Sequence, residues 1–381
     1  MKIPNRIFRK VLSWVYRYQE YAADQRPIHK IRNSYSKLKT QKKLSNEQIK
    51  EIQDYYKALL GHEVPIEWHQ YFYSRTGNYS KLYIPTSEYK HQIIGRLNVY
   101  PLHLAYNDKN MTDVTLPHTH QPKIYVKNMG GYFYAEGQPI TKEEAIHLCR
   151  DLGDVIIKPS LTGRGNGVRK VHIEDGIVDN KQALEELFHE YFADYLVQQV
   201  IVQHPDMKAL NSSSVNTIRI VTYRTGMEVK TVYTVIRIGR RGMNIDNESA
   251  GGISAIIHPD GTIGKYAYGA PGVDNVEFTD TGIKLDGYKV PSYNKANEMV
   301  KQSHMQLPYF NMIGWDITIE EDGSPVMIEL NLNPDLSQSA NGPAFGEYTE
   351  MILKDAMSRR NTWTPNTESI MRKRNKSCNM L

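Results

Sequence analysis

Hydrophobic and polar positions follow two periods along the chain, and together they predict a protein of the α+β class. Short apolar runs predict strands, and apolar residues three and four positions apart predict amphipathic helices. From about residue 108 onward the two patterns alternate. The predicted strands are 124–126, 132–134, 154–159, 167–173, 196–202, 216–224, 229–238, 252–258, 313–319 and 325–330. The predicted helices are 142–152, 183–195, 294–305 and 348–357, and the glycine-rich stretch 262–290 is predicted to be irregular.

The first 60 residues have a helical pattern. Apolar residues recur near helical spacing between Ile7 and Tyr18, with basic residues between them. This stripe has two interpretations: a helix on an anionic membrane surface, or a helix that docks on the protein itself. A second helix is predicted to begin at Ser45, because Gln48 stands three residues later, as in a capping box.

The length of 381 residues suits two or three compact parts at roughly 100–150 residues each. We expect a basic helical arm at 1–60 and a region without clear motifs at 61–107. Two α/β subdomains are expected at 108–200 and 201–357. The basic, polar tail at 358–381 is expected to be disordered.

The net charge of +5 is unevenly distributed. Residues 1–60 carry 14 Lys and Arg against 5 Asp and Glu, a local charge of +9, so the remainder carries −4. The basic character therefore belongs to the arm. No nucleic-acid-binding signature accompanies it, so nucleic acid is not an expected partner.

The expected location is the cytoplasm. No segment approaches the ~20 apolar residues that a bilayer span needs, and the first 21 residues lack the apolar core of a secretory signal. The two cysteines are Cys149, expected in the core, and Cys378, which lies in the polar tail, so a structural disulfide is not expected. Residues 1–60 are the expected contact for the inner membrane face.

Oxygen-bearing side chains cluster on two predicted strands near the C-terminal end. Glu329 and Asn331 share one strand face, because side chains alternate along a strand. If the strands pair across the turn 320–323, Asp316 reaches the same face. Two carboxylates and an amide oxygen form a hard-oxygen site that suits Mg²⁺. The alternative is a solvated strand face, but the apolar neighbours of Glu329 would make an unpartnered carboxylate costly there.

A lysine ends the apolar strand 154–159, and a glycine-rich loop follows it. Lys158 offers a point charge to phosphate oxygens. The loop carries Gly163, Gly165 and Gly167, and its backbone N–H groups can close over phosphates. The same glycine spacing also occurs in hairpin turns. Neither a Walker A motif nor a Rossmann fingerprint fits, because no helix begins directly after the glycines.

Arg219 is the only charge in the apolar strand 216–222. Its guanidinium suits a phosphate or a substrate carboxylate, and a structural ion pair is the alternative. Further along the chain, Arg237, Arg240 and Arg241 precede the polar loop 246–252.

The order of these motifs resembles the ATP-grasp superfamily over residues 108–357. The resemblance is carried by Asp108-Lys109, Lys158-Pro159-Ser160 with its glycine loop, 196–201, Asn216-Thr217-Ile218-Arg219, Asp316 and Glu329-x-Asn331. The chain is most similar to the branch called sugar-transfer-associated ATP-grasp. That similarity adds the Asp-Lys-Asn opening, Gln203-His204-Pro205 and Asp246-Asn247…Gly251-Gly252. The chain also resembles ribosomal-protein glutamate ligases through Arg219, Arg237 and Asn247.

The resemblance implies a fold in which two α/β subdomains clasp ATP, with the 161–167 loop as a mobile lid. The implied ATP-binding residues are Lys109, Lys158, Ser160, Gly163, Gly165, Gly167, the hinge residues Gln198, Gln199, Val200 and Ile201, and Asn216 as a ribose or nucleotide contact. The implied ligands of two Mg²⁺ ions, or of Mn²⁺ in their place, are Asp316, Glu329 and Asn331. The implied catalytic residues are Lys158, Arg219 and Arg237, with the arginines stabilising an acyl phosphate or the tetrahedral state.

Two positions depart from the family pattern. The hinge usually has a glutamate, where this chain has Gln198-Gln199. An amide oxygen can still accept a hydrogen bond from the adenine amino group. Many peptide-forming relatives have an arginine two residues before the first metal aspartate, where this chain has Gly314. Arg219 or Arg237 is therefore expected to take its place.

The resemblance implies an ATP- and Mg-dependent ligase that activates a carboxylate as an acyl phosphate and joins it to an amine. Its branch name suggests a sugar or polysaccharide precursor, such as a hexuronic acid amidated by an amino acid or amine, and it suggests glycosyltransferases as a second expected contact of residues 1–60. Two alternatives stay open. One is an ATP-grasp kinase that phosphorylates a sugar hydroxyl, and the other is a non-catalytic ATP-binding module of a polysaccharide synthesis complex.

Overall fold

The structure is a computed structural model that describes residues 27–163, 165–240, 242 and 251–362. The stripe predicted between Ile7 and Tyr18, the loop residues Asp246 and Asn247, and the tail beyond residue 362 lie outside the described residues. Two compact units are present. The first comprises the described residues up to Leu97 with Pro271–Asp274 and Leu336–Asn361, and the second comprises Asn98–Ala270, Asn275–Asp335 and Thr362.

Helices occur in both units. They are α1 (27–36), α2 (Asn46–Leu60), α3 (Glu67–Thr76), α4 (Thr86–Glu88), α5 (Ile94–Leu97), α6 (His103–Asn107), α7 (Thr112–Thr115), α8 (Lys142–Cys149), α9 (Leu184–Tyr191), α10 (Pro205–Leu210), α11 (Tyr293–His304), α12 (Gln338–Asn341) and α13 (Thr349–Ser358). A π-helical turn spans Tyr89–Ile93, and 3-10 turns span Tyr100–Leu102, Lys109–Met111 and Gly346–Tyr348. Within the described residues, no helix is both long and apolar enough to cross a membrane.

The predicted capping box at the start of α2 is confirmed. Ser45 Oγ accepts a hydrogen bond from the Gln48 N–H at 3.2 Å, and Gln48 Oε1 accepts one from the Ser45 N–H at 2.9 Å. Each bond satisfies a backbone donor that the first helical turn leaves open. Ile52, Tyr56 and Leu60 recur every four residues on the buried side of this helix.

The first sheet of the second unit has eight strands in the order β3-β2-β1-β8-β4-β5-β6-β7. They are β1 (Ile124–Met129), β2 (Tyr132–Ala135), β3 (Gln138–Ile140), β4 (Gly153–Pro159), β5 (Arg169–Glu174), β6 (Ile177–Val178), β7 (Gln182–Ala183) and β8 (Tyr195–Gln199). Val155, Ile157 and Val197 pack in one core with residues of α8 and α9. Because side chains alternate along a strand, Lys158 and Gln198 lie on the opposite face.

The second sheet has six strands in the order β12-β11-β10-β9-β13-β14. They are β9 (Thr217–Thr225), β10 (Glu228–Ile238), β11 (Ile253–Ile257), β12 (Ile263–Tyr268), β13 (Met312–Ile319) and β14 (Pro325–Asn331). Helix α11 packs on one face, where Tyr293 OH lies 3.1 Å from Thr234 Oγ1 and His304 Nδ1 lies 2.7 Å from Thr222 Oγ1. The other face carries the charged residues described below.

One secondary-structure prediction is wrong. Residues 262–290 were expected to be irregular, but β12 lies at their start and pairs with β11. Gly264 weakens the strand signal in the sequence. The pairing of β12 with β11 requires a glycine there, because a Cβ on Gly264 would collide with the side chain of Ile256. The predicted hairpin of β13 and β14 is confirmed, as is the antiparallel pairing of β4 with β5. Cys149 is buried as expected, and burial raises the pKa of its thiol to about 12.

Candidate active site

Three charged residues lie side by side on neighbouring strands of the second sheet. Asp316 on β13 pairs in register with Arg219 on β9 and with Glu329 on β14. Residues directly opposite each other on antiparallel strands share one face. The strand pairing therefore brings these three predicted residues into one row, although 97 residues separate Arg219 from Asp316 along the chain.

Arg219 and Asp316 form a buried, bidentate ion pair. Arg219 Nε donates to Asp316 Oδ1 and Arg219 Nη2 donates to Asp316 Oδ2, each at 2.5 Å. A second arginine, Arg237, has its Nη1 3.6 Å from Asp316 Oδ2. Burial would raise the pKa of Asp316, but the charges of Arg219 and Arg237 outweigh it and hold that pKa below the usual range. Asp316 is therefore ionised, and its two oxygens accept hydrogen bonds from both ends of the Arg219 guanidinium.

The predicted metal ligands are brought together. Asn331 Nδ2 lies 3.4 Å from Asp316 Oδ2, and Glu329 is the partner of Asp316 in the strand pairing. Among the described residues no three His, Cys, Asp or Glu side chains form a metal cluster, and the third donor of the predicted set is the Asn331 amide oxygen. Two carboxylates and an amide oxygen are hard donors of the kind that Mg²⁺ takes. The donor set therefore suits this ion.

Two lysines lie opposite these carboxylates. Lys109 Nζ is 3.6 Å from Glu329 Oε2 and donates to the Thr162 carbonyl at 2.6 Å. Lys158 is buried and, among the described residues, donates no hydrogen bond and forms no ion pair. Burial lowers the pKa of Lys158 to about 8, with Lys109 adding to the shift and Glu329 opposing it. A buried cation without a bonded partner is suited to an anionic ligand.

The glycine-rich loop returns over the end of β4. Gly165 and Gly167 have φ values of 74° and 75°, which glycine adopts without strain. A Cβ on Gly167 would lie 2.8 Å from Pro159 Cγ, whereas Gly163 has open space. Ser160 Oγ is buried and has no hydrogen-bond partner in the described part of the chain.

The predicted hinge residues 198–201 lie at the end of β8 and just after it, where the chain leaves the first sheet. Gln198 lies on the same sheet face as Lys158. The Gln199 N–H donates to the Lys123 carbonyl at 2.9 Å. Within the described ranges, the backbone groups of Val200 and Ile201 have no hydrogen-bond partner. Unpaired backbone donors and acceptors next to an apolar strand suit the edge of a planar heterocycle.

Asn216, an expected nucleotide contact, and Arg240, one of the arginines before the polar loop, are engaged by other groups of the protein. Asn216 is fully buried, and its amide nitrogen donates to the Met207 and Asn211 carbonyls at 2.8 Å each. The structure thus uses Asn216 to hold the loop before β9, and its nucleotide contact stays a prediction. Arg240 is engaged in a 2.7 Å hydrogen bond to Asp280.

Steric crowding explains why position 314 is a glycine. A Cβ at this position would lie 2.7 Å from Pro334 Cβ and 3.4 Å from Arg219 Cδ. No side chain fits there without displacement, and the stem of Arg219 fills the neighbouring space. This geometry agrees with the expectation that an arginine elsewhere takes the place of the one missing at 314.

Sequence reasoning missed one polar residue on this face. Ser254 pairs with Arg237 across β10 and β11. Its hydroxyl is buried and has no hydrogen-bond partner in the described part of the chain. The available signal was a single hydroxyl residue between Ile253 and Ala255 in an apolar strand.

A family model described as sugar-transfer associated ATP-grasp matches residues 88–352, more than half of the chain. The chain belongs to the sugar-transfer associated ATP-grasp family. The predicted ATP-grasp fold is thereby confirmed, and the match begins 20 residues before the region that the motifs indicated, since Glu88 precedes Asp108 by that number. No curated protein matches this ATP-grasp chain.

Solved structures resemble this ATP-grasp protein at low identity. A D-alanine–D-alanine ligase from Bacillus anthracis is 13% identical over 68% of this chain and 67% of its own, with a TM-score of 0.39. The ATP-grasp ligase PsnB complexed with minimal precursor is 12% identical over 68% and 62%, with a TM-score of 0.39. The biotin carboxylase domain of Hydrogenobacter thermophilus 2-oxoglutarate carboxylase is 14% identical over 68% and 47%, with a TM-score of 0.40. This chain thus spans about half to two thirds of these structures, and the family model alone carries the assignment.

Proposed function

We propose that this ATP-grasp protein is an ATP- and magnesium-dependent ligase that joins a carboxylate to an amine through an acyl phosphate. Its carboxylate belongs to a sugar or polysaccharide precursor. The observation that carries the proposal is the 3.6 Å approach of Lys109, in the 3-10 turn Lys109–Met111, to Glu329 on β14 of the second sheet. This contact would set a phosphate-binding cation beside a metal-binding oxygen.

Lys158 of the first sheet and the segments that adjoin this sheet supply the groups for ATP. Lys158 and Lys109 would hold phosphate oxygens, and the glycine-rich loop would close over them with its backbone N–H groups. The unpaired backbone groups of Val200 and Ile201 would receive the adenine edge. The low pKa of Lys158 supports this role, since a phosphate would restore the electrostatic partner that burial removes.

The second sheet supplies the groups for magnesium and for the charge of the reaction. Asp316, Glu329 and Asn331 are the residues that would hold the ion. Bound magnesium neutralises phosphate charge as the phosphoryl group transfers. Because both oxygens of Asp316 accept from Arg219, Asp316 stays ionised and fixed in place.

The proposed reaction has two steps. A substrate carboxylate oxygen attacks the γ-phosphorus of ATP, the bond between that phosphorus and the β,γ-bridging oxygen breaks, and ADP leaves. The amine nitrogen then attacks the acyl carbon, inorganic phosphate leaves and one proton is released. The protein positions the reactants and stabilises charge in both steps.

The test is phosphate release from Mg-ATP by full-length protein, with uronic acids crossed against amino acids and simple amines. Wild type is expected to release phosphate only when both substrates are present. Glu329→Gln is expected to lower that rate by at least about 100-fold, the scale of losing one preorganised charge-stabilising group. Glu321→Gln is the matched control, because Glu321 is exposed in the turn of the same hairpin.

Three results would count against the ligase. Phosphate release that does not depend on the amine, or equal phosphate-release rates for Glu329→Gln and Glu321→Gln, would contradict the proposed site. ADP formation with a phosphorylated sugar and no free phosphate, seen by mass spectrometry, would favour the kinase alternative.

A further inference from the structure

The first unit contains a basic segment that the proposed reaction does not use. Residues 25–46 include lysines and arginines but no aspartate or glutamate. The described part of this segment forms α1 and the loop that leads to α2. A block of like charge often marks a surface that contacts an anionic partner. The basic residues of the segment are Arg26, Lys30, Arg32, Lys37, Lys39, Lys42 and Lys43.

One side of α1 is fixed to the core of this unit. Ile28, Ile31 and Tyr35 recur at helical spacing and pack against a cluster that contains aromatic residues of α3. Lys30 is exposed, and Lys37, which is also exposed, follows it by about two helical turns. The helix therefore buries an apolar side and presents lysines to solvent.

The loop after α1 is anchored as well. Leu38 is buried in the same cluster as the apolar side of α1. The N–H of Lys42 donates to Ser74 Oγ at 2.9 Å, and the carbonyl of Lys42 accepts from the Tyr35 hydroxyl at 3.0 Å. These contacts hold the backbone in place while other side chains of the loop are exposed. The exposed lysines that follow α1 are Lys37, Lys39 and Lys43.

The cations of this segment differ in what they contact. Arg32 forms an ion pair with Glu67, and Lys42 Nζ lies 4.7 Å from the centre of the Tyr73 ring. The side chains of four other lysines make no ion pair, hydrogen bond or ring contact within the described ranges. Exposed charges without a counter-charge raise the local positive potential and attract anions. These four, called here the α1 lysines, are Lys30, Lys37, Lys39 and Lys43.

We propose that the α1 lysines bind the surface of a bilayer that contains anionic phospholipids. Their ammonium groups contact the headgroup phosphates. One lysine near such a surface strengthens binding about 5-fold, which corresponds to about 1 kcal/mol. The inference goes beyond the proposed ligase function and uses none of the residues of the candidate active site.

The sequence before α1 favours a bilayer over other polyanions. Residues 1–26 carry six Lys and Arg against two Asp and Glu, and apolar residues recur between the basic ones from Ile7 to Tyr18. Positive charge combined with apolar residues suits the boundary between lipid headgroups and acyl chains. A nucleic acid or an acidic polysaccharide offers charge but no acyl chains. Because these residues directly precede α1, the charge of the α1 lysines continues a composition that is typical of membrane-surface segments.

The experiment is vesicle co-sedimentation of full-length protein, without nucleotide or substrate. One set of vesicles is phosphatidylcholine alone, and the other contains phosphatidylcholine and phosphatidylglycerol in a ratio of two to one. Wild type is expected to bind the mixed vesicles more tightly than the neutral ones. This preference should disappear when the salt concentration rises from about 0.1 M to about 1 M, because the screening length falls from about 10 Å to about 3 Å.

Two triple variants with equal net charge separate this surface from a general charge effect. Replacing Lys37, Lys39 and Lys43 with glutamine is expected to weaken binding to the mixed vesicles roughly 100-fold, at about 5-fold for each lysine. The control replaces three exposed lysines that form no ion pair in the described part of the chain. It should bind like wild type, and both variants should unfold thermally like wild type. The control positions are Lys181, Lys208 and Lys295.

Several outcomes would overturn the assignment. Equal losses in the two triple variants would show that net charge alone decides binding, and unchanged binding in the α1-lysine variant would place the contact elsewhere. Neutral vesicles bound as tightly as mixed ones, or no binding to either, would exclude an anionic bilayer as the partner. Tighter binding to double-stranded DNA than to mixed vesicles would assign the lysines to nucleic acid. Displacement from the vesicles by inorganic phosphate but not by chloride at equal ionic strength would indicate a phosphate-ion site instead.

Discussion

Lys158 is expected to destabilise the free protein, so Lys158→Met should raise its stability. Burial lowers the pKa of Lys158 from an ordinary 10.5 to about 8. At about 1.4 kcal/mol per pKa unit, the charged side chain costs about 3 kcal/mol of folding stability at neutral pH. Methionine keeps an unbranched stem of similar length and carries no charge, so we expect a gain of up to that amount.

The stability difference between Lys158→Met and wild type should depend on pH. The folded pKa of Lys158 lies below the unfolded one, so the unfolded chain binds the proton more tightly. The penalty is complete below the folded pKa and fades as pH rises from about 8 to 10.5. The advantage of Lys158→Met over wild type should therefore fall to about half by pH 9.5.

Urea unfolding between pH 7 and 9.5, without nucleotide, is the assay. Lys181→Met is the control, because Lys181 is exposed beside the same sheet. The control should track wild type at every pH. The reasoning is refuted if Lys158→Met is less stable than wild type at pH 7, or if its advantage stays constant with pH. The same variant should lose ATP binding, so that the stability gained accompanies a function lost.

Two further predictions concern the second sheet. Asp316→Asn leaves the Arg219 charge buried without its partner and should lower the free energy of unfolding in urea by about 3 kcal/mol. The control Asp322→Asn, in the exposed turn of the same hairpin, should lower it far less. Equal losses would show that the buried ion pair does not stabilise this region. Gly314→Ala places a Cβ 2.7 Å from Pro334 Cβ and should lower the free energy of unfolding by about 1–3 kcal/mol. The control is Gly163→Ala, whose Cβ enters open space. Equal thermal stabilities of the two variants would contradict the steric argument.

The sequence was informative where function depends on local alternation. Glu329 and Asn331 stand two apart on a strand, and Asp316 stands on the strand paired with it across a short turn, so their common face follows from periodicity. The ion pair of Arg219 with Asp316 could not be predicted in the same way. It depends on the order and register of β9 and β13, which are set by packing between segments far apart in the chain.

Other features were hidden for related reasons. Asn216 stood in a motif, but its amide is used by backbone carbonyls of the preceding loop. The first unit also joins distant segments: the Gln338 amide exchanges two 2.8 Å hydrogen bonds with the backbone of Ile84, 254 residues earlier. Local periodicity carries no information about such a pairing.

The contact between Gly314 and Pro334 also constrains how such a site can change over generations. An arginine at 314 and an arginine at 219 would compete for one volume, since Arg219 Cδ lies 3.4 Å from where a Cβ on Gly314 would stand. A single exchange to arginine at 314 would collide with Pro334, and a single loss of the arginine at 219 would leave Asp316 without its bidentate partner, so we expect each single change to destabilise this region. The two placements of the arginine therefore exclude each other in this fold, and a sequence search that requires an arginine at the position of Gly314 will overlook this chain.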